Sequence, residues 1–353
     1  MVAVIAGGLW FWWHTRQAPE ISRPKTPPVS VAKTVPPTAE PQKTLPVVAK
    51  PTPAPKPLVV AAQTPTDFPR AVRDVLEAQV ALMHYGISAG SIDGAIGSQT
   101  RAALAAFQHA ENLPVTSALD AETKEKLQLA APCLTEYIVT TNDLARLQPI
   151  GKTWLEKSQQ SALDYETILE LVAEKAHAHP LLIKKLNPGV DWSNVAAETV
   201  LKIPDADYPE PTDKAALVVI HLAEKNLEAF DAATNLILHC PCSIAAKVEK
   251  RPVGELHVAV VAPNPNYTFD PAVFPESPEA QALGRKLILP PGPNNPVGVA
   301  WIGLDKPGYG MHGTPVPEQV GRTESHGCFR LANWNAEYLL KLVWIGMPVR
   351  VEP

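Results

Sequence analysis

The spacing of apolar residues changes several times along the chain, and each change predicts a different kind of structure. An uninterrupted apolar run from Met1 to Trp13 comes first, and a proline-rich stretch without any apolar period follows it. Helical spacing begins near residue 68, and a mixed helix and strand pattern covers residues 137–204. From residue 215 onward short β-branched runs dominate. This succession predicts a multidomain α+β protein.

The N-terminal run is too short for an ordinary membrane span. Its thirteen residues would make about 20 Å of helix, whereas the hydrocarbon core of a bilayer is roughly 30 Å thick. Trp10, Trp12 and Trp13 are residues typical of a membrane interface. We interpret residues 1–16 as a signal anchor or an export signal; the alternative is a buried N-terminal strand or helix.

Residues 17–67 are rich in proline, alanine, threonine, valine and lysine. A helix does not tolerate this density of proline, so we expect a disordered or extended polyproline-type linker. At about 3.1 Å per residue such a linker could reach roughly 150 Å. It would let an anchored domain act far from its anchor.

Residues 68–131 predict a bundle of three short helices. The first helix has apolar residues at helical spacing, the second would start at a Ser98 cap, and the third at an Asp120 cap. Residues 136–206 predict a small α/β module in which two helices lie between two strands. A break at Pro180 would separate its helices.

Residues 214–353 predict a β-rich domain. Short strands alternate with turns of glycine, proline and asparagine, and one convincing helix is expected in the run "NWNAEYLLKLVWIG". This composition favours a mainly antiparallel sandwich.

Charge and cysteine content limit the function. A net charge of −5 gives no reason to expect a nucleic-acid partner. The sequence contains no pair of Cys-x-x-Cys motifs, so a structural zinc site is not expected. Cys240 and Cys242 would share one face of a strand, where they are badly placed to bond to each other. We interpret them as small core residues; the disulfide state of these two and of Cys133 stays open.

Cys328 stands in "RTESHGCFRL", two residues after His326 and sixteen after His312. An ordinary thiol is mostly protonated at neutral pH, and a nearby imidazole can take its proton and leave a nucleophilic thiolate. The carbonyl of Gly313 could orient His312, and backbone N–H groups of the turn around Gly327 could stabilise an oxyanion. The alternative is a buried structural cysteine, which needs no histidine.

The phrases "HGT", "SHGCFRL" and "LPPGPNNPVGVAWIGL" resemble the L,D-transpeptidase catalytic (YkuD-type) domain. The resemblance implies that Cys328 is the nucleophile and His312 the general base, with the Gly313 carbonyl beside it. It places His326 and Gly327 at the oxyanion site. Arg330 would brace the loop or bind a carboxylate, with a surface salt bridge as the alternative. The substrate-binding candidates are Ser325, Tyr309 and Asn295. Arg251 stands where this family usually has threonine.

Residues 68–131 resemble the three-helix peptidoglycan-binding repeat, and residues 136–206 resemble a LysM module with additional residues after its first strand. The repeat implies wall-binding candidates, which are Asp93, Gly94, Thr100, Phe107 and Gln108. A purely structural bundle is the alternative for the first segment.

These resemblances imply a cell-wall L,D-transpeptidase without a metal or organic cofactor. Its cysteine would form an acyl-enzyme on a peptidoglycan tetrapeptide stem, release D-alanine and pass the acyl group to an amine, which gives a 3-3 cross-link. Alternatives are an exported cysteine L,D-carboxypeptidase or endopeptidase, and a catalytically silent wall anchor. Peptidoglycan peptides and glycan would be the partners. The expected location is the bacterial envelope, periplasm or wall, with the N-terminal segment in the inner membrane.

Overall fold

The structure is a computed structural model that describes residues 68–274, 276–323, 325 and 327–353. The predictions for residues 1–16 and 17–67 fall outside these ranges, and so does His326. Within these ranges there is no helix of sufficient length and apolar character to cross a membrane.

The helices of the described ranges are α1 (Val75–His84), α2 (Ser98–Ala110), α3 (Ala121–Lys126), α4 (Thr141–Ala145), α5 (Trp154–Gln159), α6 (Ile168–Lys175), α7 (Pro180–Leu186), α8 (Pro278–Leu283) and α9 (Asn333–Leu342). The strands are β1 (Arg70–Ala71), β2 (Gln128–Leu129), β3 (Leu134–Ile138), β4 (Val200–Pro204), β5 (Leu217–His221), β6 (Asn226–Phe230), β7 (Leu236–Pro241), β8 (Gly254–Pro263), β9 (Tyr267–Phe269), β10 (Leu287–Leu289), β11 (Ala300–Leu304), β12 (Gly310–His312), β13 (Phe329–Arg330) and β14 (Pro348–Glu352).

Helices α1 to α3 begin at polar caps or at a glycine. The Asp120 side chain accepts the backbone N–H of Thr123, so this predicted cap is confirmed. The predicted Ser98 cap is wrong, because Ser98 is already the first helical residue and Gly97 is the cap. A glycine can take the cap position because it adopts the required backbone conformation at little cost.

Residues 134–204 fold as β3, then α4 to α7, then β4, and the two strands pair antiparallel. Helices α4, α5 and α6 each have a threonine as N-cap residue and form a capping box. The threonine side chain accepts the backbone N–H of an acidic residue three positions later, and the side chain of that residue accepts the backbone N–H of the threonine. Helices α4 and α5 occupy the additional residues that the sequence placed after the first strand. The LysM-like interpretation stays a prediction.

The C-terminal sheet has eight strands in the order β13-β12-β11-β8-β14-β5-β6-β7. Its neighbours are antiparallel except β12 with β13 and β14 with β5. The two ends of the sheet approach each other, because Ser243, just beyond β7, exchanges backbone hydrogen bonds of 2.9 and 3.0 Å with Arg330 of β13. In place of the expected sandwich, the domain has one eight-stranded sheet curled onto itself, and the short strands β9 and β10 pair as a separate two-stranded sheet. The predicted helix is α9.

The helical segments share their core with the C-terminal half of the chain. One buried cluster joins side chains of α1, α2, α6 and α7 to Ala332 and Trp334 at the start of α9. His177 stacks on Trp334 with ring centroids 5.4 Å apart. At the sheet edge, Ser88 N donates to His239 O (2.7 Å) and His239 N donates to Gly86 O (3.0 Å). The loop after α1 thus continues the sheet beyond β7.

Candidate active site

Strands β12 and β13 bring Cys328 and His312 to the same face of the sheet. They pair in parallel, with Met311 opposite Phe329 and His312 opposite Arg330. Met311 and Phe329 are buried in the core of the sheet domain. Because side chains alternate along a strand, His312 points to the opposite face. Cys328 directly precedes Phe329, so alternation continued by one residue puts its side chain on the same face as His312.

The His312 side chain is held in one tautomer. Its Nδ1 lies 2.7 Å from the carbonyl oxygen of Gly313, which can only accept a hydrogen bond, so Nδ1 must carry the proton. The lone pair is then on Nε2, the position from which imidazole acts as a base. Trp301 stacks on the ring with centroids 5.7 Å apart. Burial lowers the pKa of His312 to about 4, which keeps the imidazole neutral at neutral pH.

The Cys328 thiol is partly exposed and donates to the carbonyl oxygen of Gly308 at 3.4 Å. Burial raises the pKa of Cys328 to about 11. Among the described residues, no hydrogen bond joins this thiol to the His312 imidazole. The resting pair is therefore a neutral thiol and a neutral imidazole.

The turn before Cys328 is built by Ser325. The Ser325 hydroxyl donates to the Cys328 carbonyl (2.6 Å) and accepts the N–H of Gly327 (3.3 Å). This makes Ser325 a residue that shapes the turn, whereas a contact with substrate stays a prediction. The Cα of Gly327 borders open space, since a methyl group added there would meet no atom of the described residues within 4 Å, apart from its neighbours in the chain. A ligand could approach the backbone at this point.

Arg330 braces the loop that precedes the cysteine, because its Nη2 donates to Thr323 Oγ1 at 3.2 Å. Arg251, the residue in the usual threonine position, adds support on the other side of this loop. Its Nε donates to Ala245 O at 2.8 Å, and Ala245 forms a bridge with Ser325.

Of the other two substrate-binding candidates, only Tyr309 retains exposed surface, and Lys306 Nζ lies 5.3 Å from its ring. Asn295 is fully buried. Its amide donates to Pro290 O (2.7 Å) and accepts the N–H of Val297 (3.0 Å). The sequence-based role of Asn295 is corrected by this placement, because a buried amide with both ends bonded to its own loop has no group to offer a ligand.

The wall-binding candidates also divide by exposure. Thr100, Phe107 and Gln108 are buried, so they form the interior of the bundle and have no surface for contact with a wall polymer. Gln108 ties the loop before α3 by accepting the N–H groups of Thr116 and Ser117 (2.9 Å each). Asp93 and Gly94 remain at the surface, and Gln79 accepts both of their N–H groups (3.2 and 2.8 Å).

The remaining cysteines lie away from this chemistry. Cys240 and Cys242 are fully buried free thiols, as predicted for core residues, and Cys133 is a partly buried free thiol. Burial raises the pKa of all three. In the described part of the chain, no cluster of three or more histidine, cysteine or acidic side chains is arranged to hold a metal ion.

Several side chains around the site were not predicted. Trp301 packs on His312, and Asn333 accepts the backbone N–H of Thr314 at 3.0 Å. Burial, followed by the proximity of Cys328, raises the pKa of Tyr267 to about 12. Asn333 lies five residues after Cys328, at the start of a predicted helix, and this position could have marked it as a candidate site residue. The contacts of Trp301 and Tyr267 depend on packing alone.

Two segments of the chain match known families. Residues 215–351 match the L,D-transpeptidase catalytic domain (YkuD), and residues 72–127 match a putative peptidoglycan binding domain. The two resemblances expected from the catalytic phrases and from the helical repeat are thereby confirmed. The chain contains an L,D-transpeptidase catalytic domain and, before it, a peptidoglycan-binding domain.

Individual relatives are similar over part of their length. The probable L,D-transpeptidase YbiS of Escherichia coli (strain K12) is 30% identical over 167 residues, which cover 46% of this chain and 53% of that protein. The putative L,D-transpeptidase YqjB of Bacillus subtilis (strain 168) is 34% identical over 105 residues, which cover 28% and 51%. The chain thus spans about half the length of these curated relatives.

Among solved structures, an L,D-transpeptidase from Mycobacterium smegmatis is 19% identical with a TM-score of 0.31, and the similarity covers 47% of this chain and 80% of that one. A similarity of this size supports no conclusion about activity.

Proposed function

We propose that this protein is a peptidoglycan L,D-transpeptidase in which Cys328 is the nucleophile and His312 is the general base. One observation carries the proposal: His312 ends β12 and Cys328 directly precedes β13, the strand paired in parallel with β12, and the Gly313 carbonyl fixes the imidazole with its basic nitrogen free. The match of residues 215–351 to the catalytic domain of this family supports the same conclusion.

The reaction would begin with an attack of Cys328 Sγ on the carbonyl carbon of the third stem residue. The thiol proton passes to His312 Nε2 during this attack, because both groups are neutral at rest. The resulting oxyanion would be stabilised by backbone N–H groups of the turn and by His326. As the intermediate collapses, the bond to D-alanine breaks and the imidazolium returns its proton to the leaving amine. A thioester on Cys328 remains.

In the second half of the reaction, an amine of a neighbouring stem attacks the thioester carbonyl. His312 takes a proton from this amine and the Cys328 thiol is released again, so an amide bond replaces the thioester. Water, a free D-amino acid or a protein lysine in place of that amine would give another product. With water as the acceptor, the protein would be the L,D-carboxypeptidase or endopeptidase considered above.

Products from a defined substrate test this proposal. The chain from residue 61 onward is incubated with disaccharide-tetrapeptide, and the products are identified by mass. We expect release of D-alanine together with 3-3 linked dimers. Release of D-alanine with only the tripeptide would indicate the carboxypeptidase instead. A chain that releases no D-alanine and forms no dimer would contradict both enzymes and favour the silent wall anchor.

The match of residues 72–127 to a peptidoglycan-binding domain supports a second element of the proposal, retention on the wall. A chain of residues 61–353 with Cys328→Ala, which cannot form an acyl-enzyme, should co-sediment with purified peptidoglycan. The bundle is kept attached to the catalytic half because its core includes Ala332 and Trp334. Equal recovery in the supernatant with and without wall material would mean that the bundle is structural only.

A further inference from the structure

Glu174 of α6 lies outside the catalytic domain in sequence, but its carboxylate bonds to that domain. Asn333 Nδ2 donates to both carboxylate oxygens of Glu174, at 3.1 and 3.0 Å. The Tyr165 hydroxyl donates to the same carboxylate at 3.1 Å. Burial raises the pKa of Glu174 to about 7. A buried carboxyl group with two directed donor groups, the Asn333 amide and the Tyr165 hydroxyl, has a well-defined orientation.

Asn333 connects this carboxylate to the backbone beside His312. Its side-chain oxygen accepts the N–H of Thr314 (3.0 Å) and, more weakly, that of Val299 (3.4 Å). The fit leaves no spare space, since a methyl group on Gly313 would lie 2.2 Å from this oxygen. Asn333 is itself buried, with 1% of its surface exposed.

A primary amide has one donor end and one acceptor end, so a partner on one side sets what the other side presents. With the NH₂ group bonded to Glu174 and to the Pro293 carbonyl oxygen (3.2 Å), the Asn333 oxygen faces Thr314. This fixes the Gly313–Thr314 peptide, and its carbonyl is the group that accepts the Nδ1 proton of His312 at 2.7 Å. The contacts thus run without interruption from Glu174 to the imidazole.

Neighbouring contacts show that this is one docked surface. Asn294 Nδ2 donates to Glu170 Oε1 at 2.6 Å and to Asp164 O at 2.9 Å. The backbone of Leu163 exchanges hydrogen bonds with Pro291 and Asn294 (2.8 and 2.9 Å). Of the two acidic residues of α6, however, only Glu174 bonds to Asn333; Glu170 holds the loop at Asn294.

We propose that Glu174 is a positioning residue for the general base: through Asn333 it holds the Gly313 carbonyl that keeps the Nδ1 proton on His312. The inference rests on the proposed function, in which His312 is the base. It means that a segment outside the catalytic domain contributes to the reactivity of Cys328. Loss of Glu174 leaves the Pro293 carbonyl as the remaining acceptor of the Asn333 NH₂ group. The amide can then shift, which weakens its hold on Thr314 and allows His312 to place its proton on Nε2.

The test compares variants at two neighbouring glutamates. Glu174→Met removes the acceptor and keeps a side chain of similar length, Glu174→Ala repeats the loss with a smaller side chain, and Glu174→Gln keeps one acceptor oxygen. Glu170→Gln is the matched control, because it lies on the same helix and contacts Asn294 instead of Asn333. Thermal unfolding midpoints confirm that each variant is folded. The reporter is the rate at which a carbapenem acylates Cys328, followed by mass from pH 5 to pH 10.

We expect Glu174→Met and Glu174→Ala to lower the acylation rate at pH 7 by about tenfold or more, since small displacements of a catalytic group are costly. The deficit should shrink as the pH rises, because a thiolate formed by hydroxide needs no base. Glu174→Gln and Glu170→Gln should stay within about threefold of the unchanged chain. A purely structural role predicts a loss that is the same at every pH, and that result would overturn the inference.

The ¹⁵N spectrum of histidine-labelled protein separates this inference from the proposed function. The His312 signals, assigned by their loss in His312→Gln, should show a proton on Nδ1 in the unchanged chain and in Glu174→Gln, and mixed tautomers in Glu174→Met. An unchanged spectrum in Glu174→Met would contradict the positioning role whatever the activity. A changed spectrum in a protein whose Cys328 is never acylated would instead contradict the proposed function and leave the positioning role standing.

Discussion

Replacing Cys328 with alanine should lower the release of D-alanine from a tetrapeptide stem by at least about 10⁴-fold, the scale seen when a nucleophile is removed from a hydrolase. Mass analysis of the products measures the loss. The fold should persist, because the side chain is small, partly exposed and held by one hydrogen bond to Gly308. Cys328→Ser should be almost as inactive, since a hydroxyl is far harder to deprotonate than a thiol.

Cys133→Ala provides the matched control for this experiment. Cys133 is also a free and incompletely buried thiol, but it lies at the start of β3 and away from the sheet face that carries His312. Activity of Cys133→Ala should equal that of the unchanged chain. Cross-linking by Cys328→Ala while the other three cysteines are intact would show that the nucleophile has been assigned to the wrong residue.

Replacing His312 with alanine or glutamine should slow carbapenem acylation of Cys328 by about 10²- to 10⁴-fold at neutral pH, the usual contribution of a general base. An increase in pH should restore the rate in part, because it raises the thiolate fraction. Burial raises the pKa of Cys328 to about 11, so the rate should still be rising well above pH 8.5, the pH at which an ordinary thiol is about half ionised. Adduct mass against time at several pH values measures this.

The unchanged chain and a second histidine variant complete the comparison. Burial lowers the pKa of His312 to about 4, so the neutral, basic form persists well below pH 6.5. The rate should therefore fall on the acid side only as the pH drops toward about 4. His326→Ala should be slow without recovery at high pH, because an oxyanion donor stabilises charge and removes no proton. Identical pH profiles for both histidine variants would contradict this division of roles.

The proposed catalytic pair could be suggested from sequence because its signal is local. His312, Gly313 and Cys328 occur in two short phrases, and the hydrogen bond from His312 to Gly313 joins adjacent residues. Secondary structure was predictable for the same reason where caps and periods are strong, as at Asp120 and in α9. The Ser98 cap failed by one residue, since glycine can replace a polar cap.

The rest of the site depends on contacts between distant parts of the chain. Asn333 and Glu174 are 159 positions apart, and neither stands in a phrase that marks it as part of a site. For the residues of the peptidoglycan-binding repeat, a sequence motif is present but their role is not evident from it. Thr100 and Gln108 match a wall-binding family, but a motif does not distinguish residues that contact a ligand from residues that hold the loops in place. Burial, which the motif does not contain, makes that distinction.

The loop after α1 has a consequence for the solution behaviour of the catalytic half. Residues 86–88 occupy the outer edge of β7 by exchanging backbone hydrogen bonds with His239. An uncovered strand edge is a template for pairing with a second chain, and natural proteins protect such edges. The loop that follows the first helix of the peptidoglycan-binding bundle therefore also covers the exposed edge of β7. A C-terminal domain produced without this loop would expose the edge of β7. If it aggregated, the cause would be the truncation and not a property of the full chain.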